Sequence, residues 1–216
     1  ASVVFHELSH ALVAQYHGVQ MRGITLFIFG GVAEMTDEPP SAKSEFQVAI
    51  AGPIASGVLA FAALFLKHIS GAQDWGVPVF GIFSYLGLMN GVLALFNLVP
   101  AFPLDGGRVL RSALWRWKGN LRWATRLSAR IGSGFGVGLI ILGVLGILSG
   151  NFVGGIWWCI LGLFLRNAAD MSYQQLLVRR ALEGEPVRRF MNDEPVTVPP
   201  SITLKALVED YVYQYH

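Results

Sequence analysis

Residues 77–99 read VPVFGIFSYLGLMNGVLALFNLV, 23 positions without a charged side chain. A helix of that length, at about 1.5 Å per residue, crosses the roughly 30 Å hydrocarbon core of a bilayer. Residues 46–66 form a second uncharged run of 21 positions, and residues 132–165 a third of 34. The third would be roughly 50 Å long as one helix, too long for one crossing. Ser149-Gly150-Asn151 is its natural break, giving two short spans. Composition agrees, since only 14% of the 216 residues are charged, against about a quarter in ordinary soluble domains. These runs predict a mainly α, polytopic membrane helical bundle.

Charge placement orients the spans. Between positions 100 and 130 stand Arg108, Arg111, Arg116, Lys118, Arg122, Arg126 and Arg130 against one acid, Asp105. The turn at 67–76 has one lysine and the turn at 149–155 no charge. The positive-inside rule therefore puts 100–130 in the cytoplasm, with the region near Gly18 and the tail after Arg166. Residues 1–17 read as the inner end of a further helix, so an upstream part is expected before Ala1. Residues 19–36 are rich in β-branched and aromatic types and too short to span. They predict a small β-hairpin or sheet at the cytoplasmic face, interrupted at Gly30-Gly31, and Asp37-Glu38-Pro39-Pro40 ends it as a polar loop.

After Asp170 the composition turns soluble. A linker helix over 171–185, a loop, a short strand at 196–198 and a helix capped by Ser201 or Thr203 are expected. The segment 186–216 is too short for a core of its own, so a continuation is expected. A net charge of +2, without a basic stripe interleaved with aromatics, argues against a nucleic-acid partner. The single cysteine, Cys159, excludes an internal disulfide and reads as buried filler.

The chemistry concentrates in His6-Glu7-Leu8-Ser9-His10, the pattern H-E-x-x-H. Four residues make just over one helical turn, so both imidazoles leave one face and can grip one metal ion. Glu7 lies beside them, positioned to take a proton from a water activated there. A polar helix end is the bland alternative. Its weakness is cost, because each ionisable group in a membrane helix costs about 2.5 kcal/mol or more unless partnered. A catalytic zinc site wants a third protein ligand and an open position. His17 is about 10 Å from His10 along the helix axis, too far for one ion, and His68 falls in the outer turn. The best remaining candidate is Asp105, in NLVPAFPLDGGR at the inner end of the 77–99 run. An ordinary Asp-Gly turn is the competing reading.

The ordered set His6-Glu7-Leu8-Ser9-His10, Gly30-Gly31, Ala51-Gly52-Pro53 and N-x-x-P-x-x-P-L-D-G-G at 97–107 resembles the site-2 protease family of intramembrane metalloproteases. The resemblance covers residues 1 to about 170. It implies that His6, His10 and Asp105 bind one zinc ion and that Glu7 is the catalytic acid/base. It also implies a membrane-protein substrate with a transmembrane helix. Asn97 resembles a family asparagine that helps hold substrate or the oxyanion, with a buried amide bonding between helices as its alternative. Asn90, on the same face, reads as packing. The tail from about Gly184 is similar to the first half of a CBS-type (cystathionine-β-synthase-type) domain, through P-V-x-x-x-M and P-V-T-V, and implies an adenine nucleotide as a regulatory ligand. The organisation expected is a membrane-embedded metalloprotease core at 1–170, a linker helix at 171–185 and the start of a cytosolic α/β, CBS-like domain at 186–216. The site would lie near the cytoplasmic face of the cell (inner) membrane.

Substrate must be unwound before attack, because a helix shields its own backbone. An exposed sheet edge at 24–33 could hold an extended strand, with Gly30 and Gly31 allowing close approach; a plain tight turn is the alternative. Ala51-Gly52-Pro53 is open between helix packing and a broken helix facing the site. The pairs Gly132/Gly136 and Gly134/Gly138 read as small-xxx-small helix contacts. The main rival function is a non-proteolytic metal-binding regulator or transporter gated by a CBS-type domain. It predicts ionisable residues at mid-bilayer, and the spans 46–66, 77–99 and 132–165 contain none. A rhomboid-type serine protease fails for want of a G-x-S-x-G or G-x-S-G stretch with a partner histidine.

Overall fold

A computed structural model describes residues 2–19, 21–27, 30–35, 39–182, 184–191, 197–198 and 201–212. Its elements in chain order are α1 (Ser2–Tyr16), β1 (Met21–Phe27), β2 (Gly30–Met35), α2 (Ala42–Ala72), α3 (Val77–Asn97), α4 (Asp105–Lys118), α5 (Leu121–Leu148) and α6 (Phe152–Leu182). Short helical turns follow at Val187–Arg189, Leu204–Ala206 and Leu207–Val212. The chain forms two compact units, residues 1–178 and 179–216.

In the first unit α2 is the hub, packing on α1, α3 and α4, while α4 packs on α5. The reason lies in one face of α2. Ala49, Gly52, Ser56, Ala60 and Ala63 are buried along it, and small side chains at that spacing let neighbouring helices approach closely. The helix starts cleanly because Ser41 and Ser44 form a capping box: Ser44 N donates to Ser41 Oγ at 3.1 Å and Ser41 N to Ser44 Oγ at 3.0 Å. Such a cap contributes about 1 kcal/mol. Pro53 sits inside α2, so the Ala49 carbonyl has no backbone donor four residues on. The helix nevertheless runs through Ala51-Gly52-Pro53 without a break.

Among the described residues, four helices are long and apolar enough to cross a membrane: Ala42–Ala72, Val77–Asn97, Leu121–Leu148 and Phe152–Arg179. The first contains the 46–66 run and extends beyond it at both ends, the second covers the 77–99 run up to Asn97, and the other two share the 132–165 run on either side of the 149–151 turn. The outer face of α3 leaves Ile82, Tyr85, Leu88, Val92 and Leu95 exposed, an apolar surface of the kind that faces lipid. The α5–α6 turn falls at Ser149-Gly150-Asn151, with Gly150 at φ +90° and Asn151 Oδ1 accepting from Gly154 N at 3.1 Å. Of the small-residue pairs, a Cβ on Gly136 would meet the Gly162 carbonyl of α6 and one on Gly132 the Phe102 backbone. A Cβ on Gly134 or Gly138 would enter open space, so among the described residues the second pair faces no helix.

The backbones of β1 and β2 pair antiparallel, from Phe27↔Gly30 to Gly23↔Glu34, with an irregularity between Met21 and Gly23. Gly30-Gly31 opens β2 and does not interrupt it. The 37–38 part of the expected polar loop lies outside the described residues. The basic segment 100–130 is helical over most of its length, comprising α4 and the first turns of α5. Gly119 ends α4 in the left-handed region at φ +64°, and Asn120 caps α5 by accepting from Trp123 N at 3.0 Å. The expected linker helix at 171–185 is no separate element, because α6 continues unbroken to Leu182.

In the second unit, Arg189 pairs with Glu185 at 2.7 Å. Thr203 caps the final helical turns, its Oγ1 accepting from Ala206 N at 3.3 Å, in place of Ser201. Thr197 and Val198 are in no regular element, and Val196 of the expected strand lies outside the described residues.

Candidate metal centre

Helix α1 places His6 and His10 one turn apart on the face that meets α2, and both are buried. Their Nε2 atoms are 3.2 Å apart. Asp105, the first residue of α4, brings its Oδ2 to 3.0 Å from His6 Nε2 and 3.1 Å from His10 Nε2. Residues 99 and 95 positions apart in sequence thus meet at one point. Among the described residues this trio is the group with metal-ligand geometry. The Asp-Gly turn reading of Asp105 gives way to this convergence.

The three atoms fit a metal on two counts. In a tetrahedral zinc centre with bonds of about 2.0–2.1 Å, ligand atoms stand about 3.3 Å apart, close to the separations found here. The backbone also leaves a space beside them, because a Cβ built on Gly52 would fall against His10 Nε2 and 2.5 Å from His6 Nε2. Two imidazoles and one carboxylate would leave a fourth position open, as catalytic zinc sites do.

The rear nitrogens are held by α2. His10 Nδ1 lies 2.6 Å from the Val48 carbonyl oxygen. A carbonyl only accepts, so Nδ1 carries a proton, and Nε2 is the nitrogen left to meet Asp105 or a metal. His6 Nδ1 is 2.8 Å from Ser56 Oγ. Glu7 is buried next to the pair and within electrostatic reach of His6, His10, Asp105 and Arg108.

Asp105 is placed by its neighbours. Cβ atoms on Gly106 and Gly107 would collide with the backbone of Leu98, Val99 and Phe102, so Asp-Gly-Gly allows the first turn of α4 to lie on the 98–102 loop. Gly132 of α5 also lies against that loop, at the Phe102 backbone. Arg111 of α4 pairs with the fully buried Glu45 of α2, its Nε donating to Glu45 Oε1 at 2.5 Å. The Arg111 guanidinium also lies 5.2 Å from the Phe102 ring centroid. Burial works to raise the Asp105 pKa, but hydrogen bonding with His10 and His6, and then the charges of His10 and Arg108, hold it down to about 2. The carboxylate is therefore ionised at neutral pH.

The other sequence candidates have partners of their own or lie in other elements. Asn97 ends α3 and gives its Nδ2 proton to Leu93 O of its own helix at 3.0 Å. Asn90 is buried and donates to Ser2 Oγ at 3.1 Å and Leu86 O at 2.8 Å, tying α3 to α1. Gly30 and Gly31 lie in the hairpin, and His17 stacks edge-on against Tyr16. Sequence reasoning passed over Val48, Ser56, Glu45, Arg108 and Arg111. Ser56 had a signal, since it falls one turn after Gly52 on the same face of α2; the Glu45–Arg111 pair, 66 positions apart, had none.

Fold and site together define a multi-pass integral membrane protein with a buried His-His-Asp cluster beside a glutamate. The family model for peptidase family M50 matches residues 1–73 and 67–142, and the chain belongs to that family. Relatives in Synechocystis and Mycobacterium tuberculosis are 39% and 36% identical over 98% of this chain, covering 55% and 54% of their own lengths. A zinc metalloprotease of Methanocaldococcus jannaschii is 34% identical over 96% of the chain and 58% of its own length. The chain thus spans about half the length of the curated relatives it matches. The solved site-2 protease from Methanocaldococcus jannaschii superposes with a TM-score of 0.61 at 30% identity, over 91% of this chain and 78% of that one. A metalloprotease family of this kind implies zinc.

Proposed function

We propose that this chain is the catalytic core of an intramembrane zinc metalloprotease that hydrolyses peptide bonds in or near transmembrane segments of membrane-protein substrates. The observation that carries the reading is the meeting of His6, His10 and Asp105 at one point, with Glu7 buried beside them. The two histidine Nε2 atoms and the Asp105 carboxylate would hold one zinc ion. Bound there, it supplies Lewis acidity to the scissile carbonyl and brings the pKa of a water to about 7.

The chain's own groups do the remaining work. The Glu7 carboxylate takes the proton of the attacking water and returns a proton to the leaving amine nitrogen. Asn97 contacts substrate or the developing oxyanion after releasing Leu93 O. Substrate enters as an extended strand on the edge of the β1–β2 hairpin, with the Cβ-free Gly30 and Gly31 permitting close approach. The basic segment 100–130 supports an active site near the cytoplasmic face of the cell (inner) membrane. Residues 1–170 form the protease core, 171–185 a connecting segment, and 186–216 the start of a CBS-type domain that binds an adenine nucleotide. Regulation of proteolysis would act through that tail.

The test is cleavage of a transmembrane substrate co-reconstituted in vesicles. Glu7→Gln is expected to retain zinc and to lower the rate by about 10²–10⁴-fold, the usual share of a general base. Undiminished, metal-independent cleavage by that variant would defeat the mechanism.

A further inference from the structure

Helix α2 presents Val48, Gly52 and Ser56 to α1 at four-residue intervals, so the three share one face. The face matches the H-E-x-x-H turn position by position. The Val48 carbonyl backs His10, Ser56 backs His6, and Gly52 lies between them without a Cβ, which would crowd both Nε2 atoms. One rear contact is backbone and survives any substitution. The other is a side chain, fully buried at 0% exposure.

We propose that Ser56 is a positioning residue of the metal centre, accepting the Nδ1 proton of His6 and aiming Nε2 at the ion. The proposal rests on the reading of His6 as a zinc ligand. A hydroxyl can donate or accept. Without metal, His6 can carry its proton on Nε2, donating to Asp105 Oδ2 at 3.0 Å, while Nδ1 accepts from the Ser56 hydroxyl. With Nε2 on a metal, Nδ1 must carry the proton, and a buried N–H then needs an acceptor. Truncating Ser56 therefore penalises the metal-bound state and spares the metal-free fold. A hydroxyl that only packs helices would affect both alike.

Zinc affinity of the purified full chain in nanodiscs, measured by chelator competition, reads the difference. Ser56→Ala is expected to weaken zinc binding about 10–100-fold, the usual effect of losing such an outer partner, with metal-free thermal unfolding matching that of Ser70→Ala. Ser70 is the control, another buried hydroxyl of α2, which donates to Lys67 O at 2.9 Å away from the histidines. Ser70→Ala is expected to bind zinc like the parent. Affinity of Ser56→Ala within about twofold of the parent would overturn the proposal, as would an equal loss in Ser70→Ala. His6→Ala separates the two levels: parental affinity there sinks the ligand reading itself, whereas lost zinc in His6→Ala with none lost in Ser56→Ala sinks only the role of Ser56.

Discussion

The two halves of the metal centre are built on opposite principles. His6 and His10 are neighbours on a single helix, and their spacing is a property of helical geometry that any α1 would reproduce. Asp105 is held by contacts that no local rule supplies: two glycines lying on the 98–102 loop, Gly132 of α5 against the same loop, and an ion pair from α4 back to α2. The first half is intrinsic to a segment. The second exists only when the bundle is assembled, so disturbance far from the metal should reach the site through Asp105 and hardly through the histidines.

Removing a ligand gives the largest effect and tests whether the halves form one centre. His10→Ala and Asp105→Ala should each reduce bound zinc from about one per chain to near zero, since a three-ligand catalytic site has no spare donor. Elemental analysis of purified variants reads this. Parental zinc in Asp105→Ala beside lost zinc in His10→Ala would detach α4 from the site and end the comparison.

Gly52→Ala comes next. The added methyl would clash with both Nε2 atoms, so the imidazoles must swing off Val48 and Ser56 or the helices must part. Zinc affinity is expected to fall at least about 10-fold, comparable to losing an outer partner. Gly57→Ala on the same helix meets nothing within 4 Å. It should leave zinc unchanged while gaining up to about 1 kcal/mol of helix propensity.

The same contrast explains what the sequence revealed. The spans, the break at Ser149-Gly150-Asn151 and the His6/Glu7/His10 face follow from hydropathy and period, which are local. Asp105 was reached by eliminating His17 and His68 and by topology, and the family resemblance named the same residue. Helix α4 has no such local signal: the positive-inside rule gives its basic segment a side of the membrane and no secondary structure, and Arg111 turns its charge inward, onto Glu45. The reading of Gly134 and Gly138 failed for a related reason: spacing shows which residues share a face and leaves open whether another helix lies against it.

Arg111 tests the assembled half directly. Its removal leaves the Glu45 carboxylate buried and without its partner, which costs about 3–5 kcal/mol in general. Arg108 remains within electrostatic reach of Glu45, so about 3 kcal/mol is expected for Arg111→Ala. Replacing both members with apolar residues of similar size should cost much less, since no lone charge stays behind. Unfolding in mild detergent compares the two. Equal destabilisation would mean the pair matters for packing alone.

The smallest effect is the most discriminating. Gly132 and Gly134 are two residues apart on α5, share composition and helix, and differ in what a methyl group would meet. At 132 it runs into the carbonyl oxygen of Phe102, and at 134 it enters open space. Helix propensity favours alanine by up to about 1 kcal/mol at both positions, so any divergence between Gly132→Ala and Gly134→Ala comes from the loop. Gly134→Ala should be neutral or slightly stabilising, with parental zinc affinity. Gly132→Ala must push the 98–102 loop, and with it the first turn of α4, away from α5. The expected cost is about 1–3 kcal/mol, as for other overpacked interiors, together with a measurable loss of zinc affinity through Asp105. Destabilisation without any change in zinc would show that Asp105 follows α4 independently of the loop, leaving Glu45–Arg111 to hold the carboxylate in place.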